Sequence, residues 1–165
     1  LMRGVQHEVL LLIPGLEHAE LLRMGSIHRI TYLDSPELLD DLYGLKTRAG
    51  LHFAGQITGV EGYVESTASG LLLGLRLAAK LKGESLEAPP EATTLGALHG
   101  HVLGKRRRED LAGQGHVPSN VHWGMVPPFP HKVPKKERKR RYGERALEQL
   151  EPYRAEVEAK VGLLS

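Results

Sequence analysis

The chain has 165 residues, about the size of one ordinary domain, and is long enough to bury a hydrophobic core. It contains no cysteine, which excludes disulfides, thiolate metal ligands and a cysteine nucleophile within this sequence. The net charge of +2 hides an asymmetry, because residues 1–100 carry 8 Lys/Arg against 12 Asp/Glu, whereas residues 101–165 carry 14 against 8. No apolar run is long enough to span a membrane and no signal peptide is visible, so we expect a soluble, cytoplasmic protein.

The first third of the chain predicts short elements. Residues 6–13 (QHEVLLLI) are typical of a short helix or a buried strand. Between residues 21 and 33, β-branched and aromatic side chains favour a strand. A helix is then predicted with Ser35 as its N-cap and Pro36 at its first position, ending before Gly44.

Residues 51–83 predict a strand, a glycine-rich turn and a helix in direct succession. The strand candidate is LHFA at 51–54, and the turn carries Gly55, Gly59 and Gly62. The helix is expected to end near Gly83. Its apolar stripe has helical spacing and consists of Val64, Ala68, Leu71, Leu75 and Ala78.

Two glycines, Gly70 and Gly74, lie inside that predicted helix. Each costs roughly 1 kcal/mol relative to alanine in a helix interior. We therefore expect another element to approach the helix closely there, most simply a tightly packed helix, with a sheet or a cofactor as alternatives.

The C-terminal half predicts two helices joined by long connections. Residues 84–94 are a polar, proline-bearing connection, and a short helix is expected at about 95–103. Residues 113–134 hold too many glycines and prolines for regular structure and predict a surface loop. A last helix is expected from Lys135 to about Val161, with a kink at Pro152. Its apolar side is predicted as Leu147, Leu150, Val157 and Val161.

The glycine turn is the strongest candidate for a ligand site. A strand, a glycine turn and a helix N-terminus together allow backbone N–H groups to approach an anion or a cofactor. The spacing is not GxGxxG, and Glu61 and Glu65 would repel a bare pyrophosphate. A neutral part of a cofactor, such as a flavin ring edge or a ribityl chain, fits better, while a plain strand-to-helix connection remains equally open.

Other candidate sites are weaker. The basic runs KRRR at 105–108 and KKERKRR at 135–141 suit a polyanion, although a solvated, salt-bridged surface is the alternative. His99 and His101 are the closest histidine pair, but without cysteines or nearby carboxylates they predict no metal site. His28 beside Arg29 is a better candidate for a polar site residue. No nucleophile with an evident partner is present.

The segment FAGQITGVEGYVESTASGLLLGL at 53–75 closely resembles the signature of the folate- and FAD-dependent tRNA uracil-5-methyltransferases, the TrmFO family. Three other segments agree in order and spacing: IPGLEHAELLRMGSIHR at 13–29, TYLDSPELL at 31–39 and NVHWGMVPP at 120–128. The resemblance covers about residues 6–150. It implies C5-methylation of the T-loop uridine of tRNA, using methylenetetrahydrofolate, FAD and NAD(P)H as reductant.

The fold implied by the resemblance is α/β. Residues 26–90 would form the C-terminal part of a Rossmann-like FAD-binding domain of the glutathione-reductase type. Residues 1–25 would be the tail end of an inserted domain, and residues 91–165 a loop-rich, mostly helical and basic C-terminal region packed on the FAD domain.

The resemblance also implies two sets of site residues, with Tyr63 near the flavin and folate rings. The implied cofactor-binding residues are His28, Arg29, Gly55, Gln56, Ile57, Thr58, Gly59, Val60, Glu61, Gly62 and Tyr63. The implied tRNA-binding residues are Lys135, Lys136, Arg138, Lys139, Arg140 and Arg141.

This chain departs from the family in lacking both the GxGxxG fingerprint and the cysteines used in methyl transfer. We therefore expect no catalytic residue here, and we interpret the chain as a C-terminal fragment that is inactive without the N-terminal portion of the same enzyme. Two alternatives stay open. One is an MnmG-like flavin-dependent protein that modifies the tRNA wobble uridine, and the other is a non-catalytic tRNA-binding module.

Overall fold

The computed structural model describes residues 3–20, 30–105 and 116–162. By its contacts the chain divides into two compact units, Leu1–Thr31 and Tyr32–Ser165. The first unit contains one described helix, α1 (Arg3–Leu11), which confirms the helical alternative for residues 6–13. The strand expected over 21–33 lies largely outside the described residues, and residues 30–33 form no strand.

The second unit begins with a helix shorter than predicted, α2 (Ser35–Leu38). The N-cap prediction is wrong by one residue, because Asp34 occupies the capping position and Ser35 is the first helical residue. The Ser35 hydroxyl is buried and donates a hydrogen bond of 2.9 Å to the carbonyl oxygen of Thr58 instead of capping the helix. Because Ser35 lies inside the first turn and not before it, its side chain is not in the N-cap position and instead joins the helix to the Thr58 carbonyl.

The strand predicted at 51–54 is also wrong. His52 makes only an isolated antiparallel bridge with Gly44, and the described residues contain isolated bridges but no longer ladder. Within these ranges the segment pairs with residues 43–45 through two backbone hydrogen bonds, from the Leu45 amide to the Leu51 carbonyl and from the Phe53 amide to the Tyr43 carbonyl. This pairing is too short to form a ladder. The described part of the chain is thus helical, and the Rossmann-like arrangement remains a prediction.

The three longer helices appear where the sequence predicts them. These are α3 (Tyr63–Leu81), α4 (Thr94–Val102) and α5 (Lys135–Val161). Gly83, with a φ of +80°, follows the end of α3, and the Thr93 side chain caps α4 by accepting a hydrogen bond from the Gly96 amide. Over the described residues 116–134 the loop prediction holds, apart from a 3₁₀ turn at Trp123–Met125.

The buried face of α3 differs from the predicted stripe. Val64 and Leu71 are 79% and 61% exposed. The residues that are buried are Ser69, Leu72, Arg76 and Ala79. A pattern of apolar residues could not predict this face, because two of its buried residues, Ser69 and Arg76, are polar and form hydrogen bonds to other segments.

The close neighbour expected at the two helix glycines is not found among the described residues. A Cβ added at Gly70 or at Gly74 would meet nothing within 4 Å. In the described structure, packing therefore does not account for either glycine.

The described residues of the second unit form three clusters of buried apolar side chains. The first cluster joins the segment after α2 to α4 through Leu39, Tyr43, Val60, Leu98 and Val102. The second joins α3 to α5 through Ala79, Leu86, Tyr153, Val157 and Val161. The third joins α4, the 3₁₀ turn and α5 through Ala97, Met125, Val126 and Tyr142.

The predicted apolar side of α5 is only partly correct. Val157 and Val161 are buried and Leu150 packs against them, but Leu147 is 66% exposed. Pro152 lies inside the helix. None of the described helices is both long and apolar enough to cross a membrane.

Candidate functional site

The glycine turn begins as a short 3₁₀ helix, Gly55–Thr58, whose C-cap Gly59 is left-handed. Helix α3 begins after its N-cap, Gly62. Gly55, Gly59 and Gly62 have φ values of +74°, +85° and +87°. Residues with a Cβ rarely adopt a positive φ, so the backbone conformation at these three positions favours glycine.

Side chains from two helices hold the underside of the turn. The Gly55 amide donates to the Ser69 hydroxyl of α3 at 3.1 Å, and the Thr58 hydroxyl donates to the Gly55 carbonyl at 2.7 Å. The Ser35 hydroxyl of α2 donates to the Thr58 carbonyl. These buried bonds fix one side of the turn against α2 and α3.

His116 closes the turn from a segment far along the chain. Its Nε2 lies 3.2 Å from the Thr58 carbonyl oxygen, and a Cβ added at Gly59 would come within 2.1 Å of the same nitrogen. Beside it, Val60 forms a parallel bridge with Ser119. Glycine at position 59 is therefore required by conformation and by the imidazole against it.

The accessible side of the turn carries Gln56, Gly62 and Tyr63, the last of which is 95% exposed. Gly62 is the N-cap of α3 and has no side chain that could cap it. The backbone N–H groups of the first helical turn have no intrahelical acceptors. Side-chain oxygens of Glu65 and Asn120 lie against Gly62, where an added Cβ would come within 2.3 and 2.7 Å of them. Glu61 and Glu65 flank this surface, and neither makes an ion pair within the described ranges.

The predicted cofactor residues thus fall into distinct groups. The exposed ones are Gln56, Gly62 and Tyr63, whereas Ile57 and Glu61 are half-buried. The buried ones are Gly55, Thr58, Gly59 and Val60. His28 and Arg29 lie outside the described residues.

A polar network that the sequence did not predict adjoins the first core cluster through Tyr43, with Arg76 and His99 buried and Asp41 and Lys105 half-exposed. The Asp41 carboxylate accepts hydrogen bonds from Arg76, from His99 at 3.1 Å and from Lys105 at 2.9 Å. The second ring nitrogen of His99 lies 3.0 Å from the Tyr43 hydroxyl. The network ties the segment after α2 to α3 and α4.

The pKa values in this network follow from burial and charge. Partial burial raises the pKa of Asp41, but hydrogen bonds from Lys105, Arg76 and His99 outweigh it and hold that pKa well below its ordinary value. Burial lowers the pKa of His99 more than the neighbouring Asp41 carboxylate raises it. At neutral pH the network therefore holds an ionised carboxylate and a neutral imidazole.

The two closest histidines of the sequence do not form a metal pair. His99 belongs to the Asp41 network, and His101 contacts the Val117 carbonyl oxygen at 3.2 Å. Among the described residues, no group of three or more His, Cys, Asp or Glu side chains is placed to hold a metal ion.

The second basic run forms the first two turns of α5. Arg140 and Arg141 are paired along the helix with Glu144 and Glu137 at 2.5 and 3.1 Å. The remaining cations of the run make no ion pair within the described ranges and are exposed: Lys135, Lys136, Arg138 and Lys139. Of the first basic run, only Lys105 lies within the described residues.

Comparison with known proteins identifies the class. The family model of glucose-inhibited division protein A matches residues 1–85, which include the glycine turn, and the chain belongs to this family.

The chain is also similar to individual proteins over most of its length. The chain is 47% identical over 148 residues to the methylenetetrahydrofolate–tRNA-(uracil-5-)-methyltransferase TrmFO of Magnetococcus marinus, covering 90% of this chain and 33% of the relative. Proteins of the same name from Syntrophus aciditrophicus and Caulobacter vibrioides are 46% and 43% identical, with 94% of this chain covered in each. The chain spans about a third of the length of these relatives.

Proposed function

We propose that this chain acts as part of a folate- and FAD-dependent tRNA uracil-5-methyltransferase. The observation that carries the proposal is the glycine turn, which leads into a helix start without a side-chain cap and next to an exposed aromatic residue, Tyr63. The relatives named for this reaction support the choice over wobble-uridine modification. The cysteines and the GxGxxG fingerprint of the family resemblance would belong to the same enzyme outside this sequence.

The accessible side of the turn fits the neutral end of a flavin cofactor. The first-turn amides of α3 have no intrahelical acceptors and no side-chain cap, and Tyr63 offers a flat, exposed aromatic surface. The Glu65 and Asn120 side chains that lie against Gly62 would move aside when the cofactor binds. Glu61 and Glu65 disfavour a phosphate at this point. When bound and reduced by NAD(P)H, FAD would supply the electrons that convert the transferred methylene to a methyl group, and Gln56, Gly62 and Tyr63 would hold and orient its ring end.

The start of α5 would meet the tRNA backbone. Four exposed cations that make no ion pair with the described part of the chain are concentrated in its first two turns: Lys135, Lys136, Arg138 and Lys139. Phosphates bound there would displace condensed counterions and make the affinity salt-dependent. Arg140 and Arg141 would contribute less, because each already has a carboxylate partner.

A chimera tests the cofactor proposal. Residues 6–150 of this chain would replace the matching segment of the Magnetococcus marinus relative, and the purified protein would be tested for bound FAD and for tRNA methylation. We expect a yellow, active enzyme. In the chimera, Tyr63→Ala should lose bound flavin and activity, whereas the control Lys80→Ala, exposed at the far end of α3, should retain both. A folded chimera that binds no FAD would contradict the proposal.

The salt dependence of tRNA binding tests the basic helix in the same chimera. Neutral glutamines would replace Lys135, Lys136, Arg138 and Lys139. Each lost phosphate contact should reduce the slope of log K against log salt by about 0.7 to 0.9. The matched control is Arg140→Gln with Glu144→Gln, which removes an existing ion pair and should change the slope little. An unchanged slope in the lysine and arginine variant would mean that this run is only a solvated surface.

A further inference from the structure

A small apolar pocket follows the basic run on α5. Its volume is about 320 Å³, and it lies between the start of α4, the 3₁₀ turn and the middle of α5. Trp123, Gly143, Leu147 and Leu150 line it, and Thr94 lies at its α4 end. This volume is near the lower end of the range of about 300–1,000 Å³ typical of small-molecule sites. We call it the Trp123 pocket.

Trp123 is a fixed and accessible wall of this pocket. Its ring is 45% exposed and stacks on Tyr142, with centroids 5.3 Å apart and an angle of 27° between the planes. Tyr142 is buried and packs against Phe129 at 4.9 Å, and the Arg145 guanidinium lies 4.3 Å from the centre of the Phe129 ring. This stack supports the indole from behind, so little order would be lost when a ligand packs on it.

The α5 side of the pocket is open because of Gly143. A Cβ at this position would meet nothing within 4 Å, so no contact among the described residues requires glycine there. A glycine inside a helix is unfavourable, and here its effect is to leave space beside the exposed side chain of Leu147.

Positive charge adjoins this open side. Lys139 precedes Gly143 by one helical turn, about 6 Å along the axis, and Lys136 lies on the same face one turn earlier. Both lysines are exposed. An apolar, aromatic pocket and a row of cations are therefore continuous along one face of α5.

We propose that the Trp123 pocket binds one unstacked nucleobase of the tRNA, whose neighbouring phosphates contact Lys136 and Lys139. The inference rests on the proposed tRNA-binding function and adds the base to the phosphate contacts. Nucleobases stack readily on exposed aromatic rings, and a basic groove that follows the backbone is the usual companion of such stacking. The Thr94 hydroxyl, exposed at the pocket's α4 end, is available for a hydrogen bond to the base edge.

The charge and the size favour a base over a protein segment. The centres of protein–protein interfaces are depleted of lysine, whereas here Lys139 and Lys136 lie one and two helical turns before Gly143 on the same face of α5. A docked helix would need an extended apolar groove with contacts every three to four residues, whereas this pocket is small and the α5 face before it is basic.

Tryptophan fluorescence tests the proposal, because Trp123 is the only tryptophan in the chain. The full chain would be titrated with a short uridine oligonucleotide, with tRNA, and with a blunt RNA duplex that presents phosphates but no free base. The expected result is quenching by the oligonucleotide and by tRNA, and little quenching by the duplex at equal occupancy. Occupancy would be followed independently by the anisotropy of labelled RNA.

Gly143→Leu is the decisive variant, because leucine fills the pocket, favours the helix and leaves every charge in place. It should abolish the quenching and weaken oligonucleotide binding about five- to one-hundred-fold while leaving duplex binding unchanged. The matched control is Gly74→Leu, an equally open helix glycine on α3, which should behave like the parent chain.

Three results would overturn the inference. RNA binding without quenching would remove the base from the pocket and leave the proposed tRNA function intact. Absence of any RNA binding would overturn both. If Gly143→Leu changes the sedimentation coefficient of the chain without affecting RNA binding, the pocket is a contact between copies of the protein instead.

Discussion

Replacing Gly59 with alanine tests how the glycine turn is held. The backbone at this position is left-handed, with a φ of +85°, and the new Cβ would lie 2.1 Å from Nε2 of His116. The conformation costs about 1–2 kcal/mol for a residue with a Cβ. Relief of the overlap by moving the imidazole adds about 1–3 kcal/mol, the usual cost of overpacking. Gly59→Ala should therefore lower the free energy of unfolding by about 2–5 kcal/mol.

Urea unfolding followed by circular dichroism measures this loss, and Gly70→Ala is the matched control. Gly70 lies in regular helix with space for a methyl group, so alanine there should stabilise the protein by about 1 kcal/mol. The two substitutions are chemically identical and should act in opposite directions. A change below about 0.5 kcal/mol for Gly59→Ala, within the normal range of neutral surface substitutions, would refute the reasoning.

A double-mutant cycle separates the conformational cost of alanine at position 59 from the cost of its overlap with His116. In a His116→Ala background the overlap is absent, so Gly59→Ala should cost only the conformational part, about 1–2 kcal/mol. An equal cost in both backgrounds would show that the histidine does not constrain the turn.

Two further predictions concern α3 and α5. Asp41→Asn should destabilise the protein by about 1–2 kcal/mol at pH 7, because Arg76 is buried while the carboxylate it loses is half-exposed and partly screened by solvent. Because the pKa of Asp41 is held well below 3.8 in the folded protein, its contribution is fully present above about pH 4 and is lost only gradually as the pH falls towards the folded-state pKa. The difference between variant and parent should therefore shrink steadily below pH 4, and a difference that stays constant from pH 7 down to about pH 2 would contradict the ion-pair account. Pro152→Ala should raise the free energy of unfolding by about 1–3 kcal/mol, because alanine restores the amide that a helix-interior proline lacks. Thermal unfolding measures this gain, and an unchanged midpoint would show that the helix already accommodates the ring.

Much of the helical structure was predictable from local signals. The bounds of α3 and α5 follow from Gly62, Gly83 and Pro134, and α4 begins where Thr93 can cap it. The predictions that were wrong concern short segments: the N-cap and the length of α2, and the strand at 51–54. Short segments have weak preferences of their own, so contacts with the rest of the molecule decide their conformation.

The candidate site was predictable to a similar extent. The glycine turn and the basic start of α5 were visible in the sequence, because glycine spacing and charge runs are properties of neighbouring residues. The Asp41 network was not, since its partners Arg76 and His99 are 35 and 58 residues away along the chain. The Trp123 pocket was likewise invisible, because three separate segments contribute its walls.

The sequence by itself therefore determined which segments are helical, where the turn needs glycine and where positive charge collects. Each of these follows from backbone preferences and charges that act over a few residues. Tertiary structure alone decided that Ser69 and Arg76 are buried while Val64 and Leu71 face solvent, and that His116 lies against Gly59. Burial, steric contact and pKa depend on distances between atoms that only packing brings together.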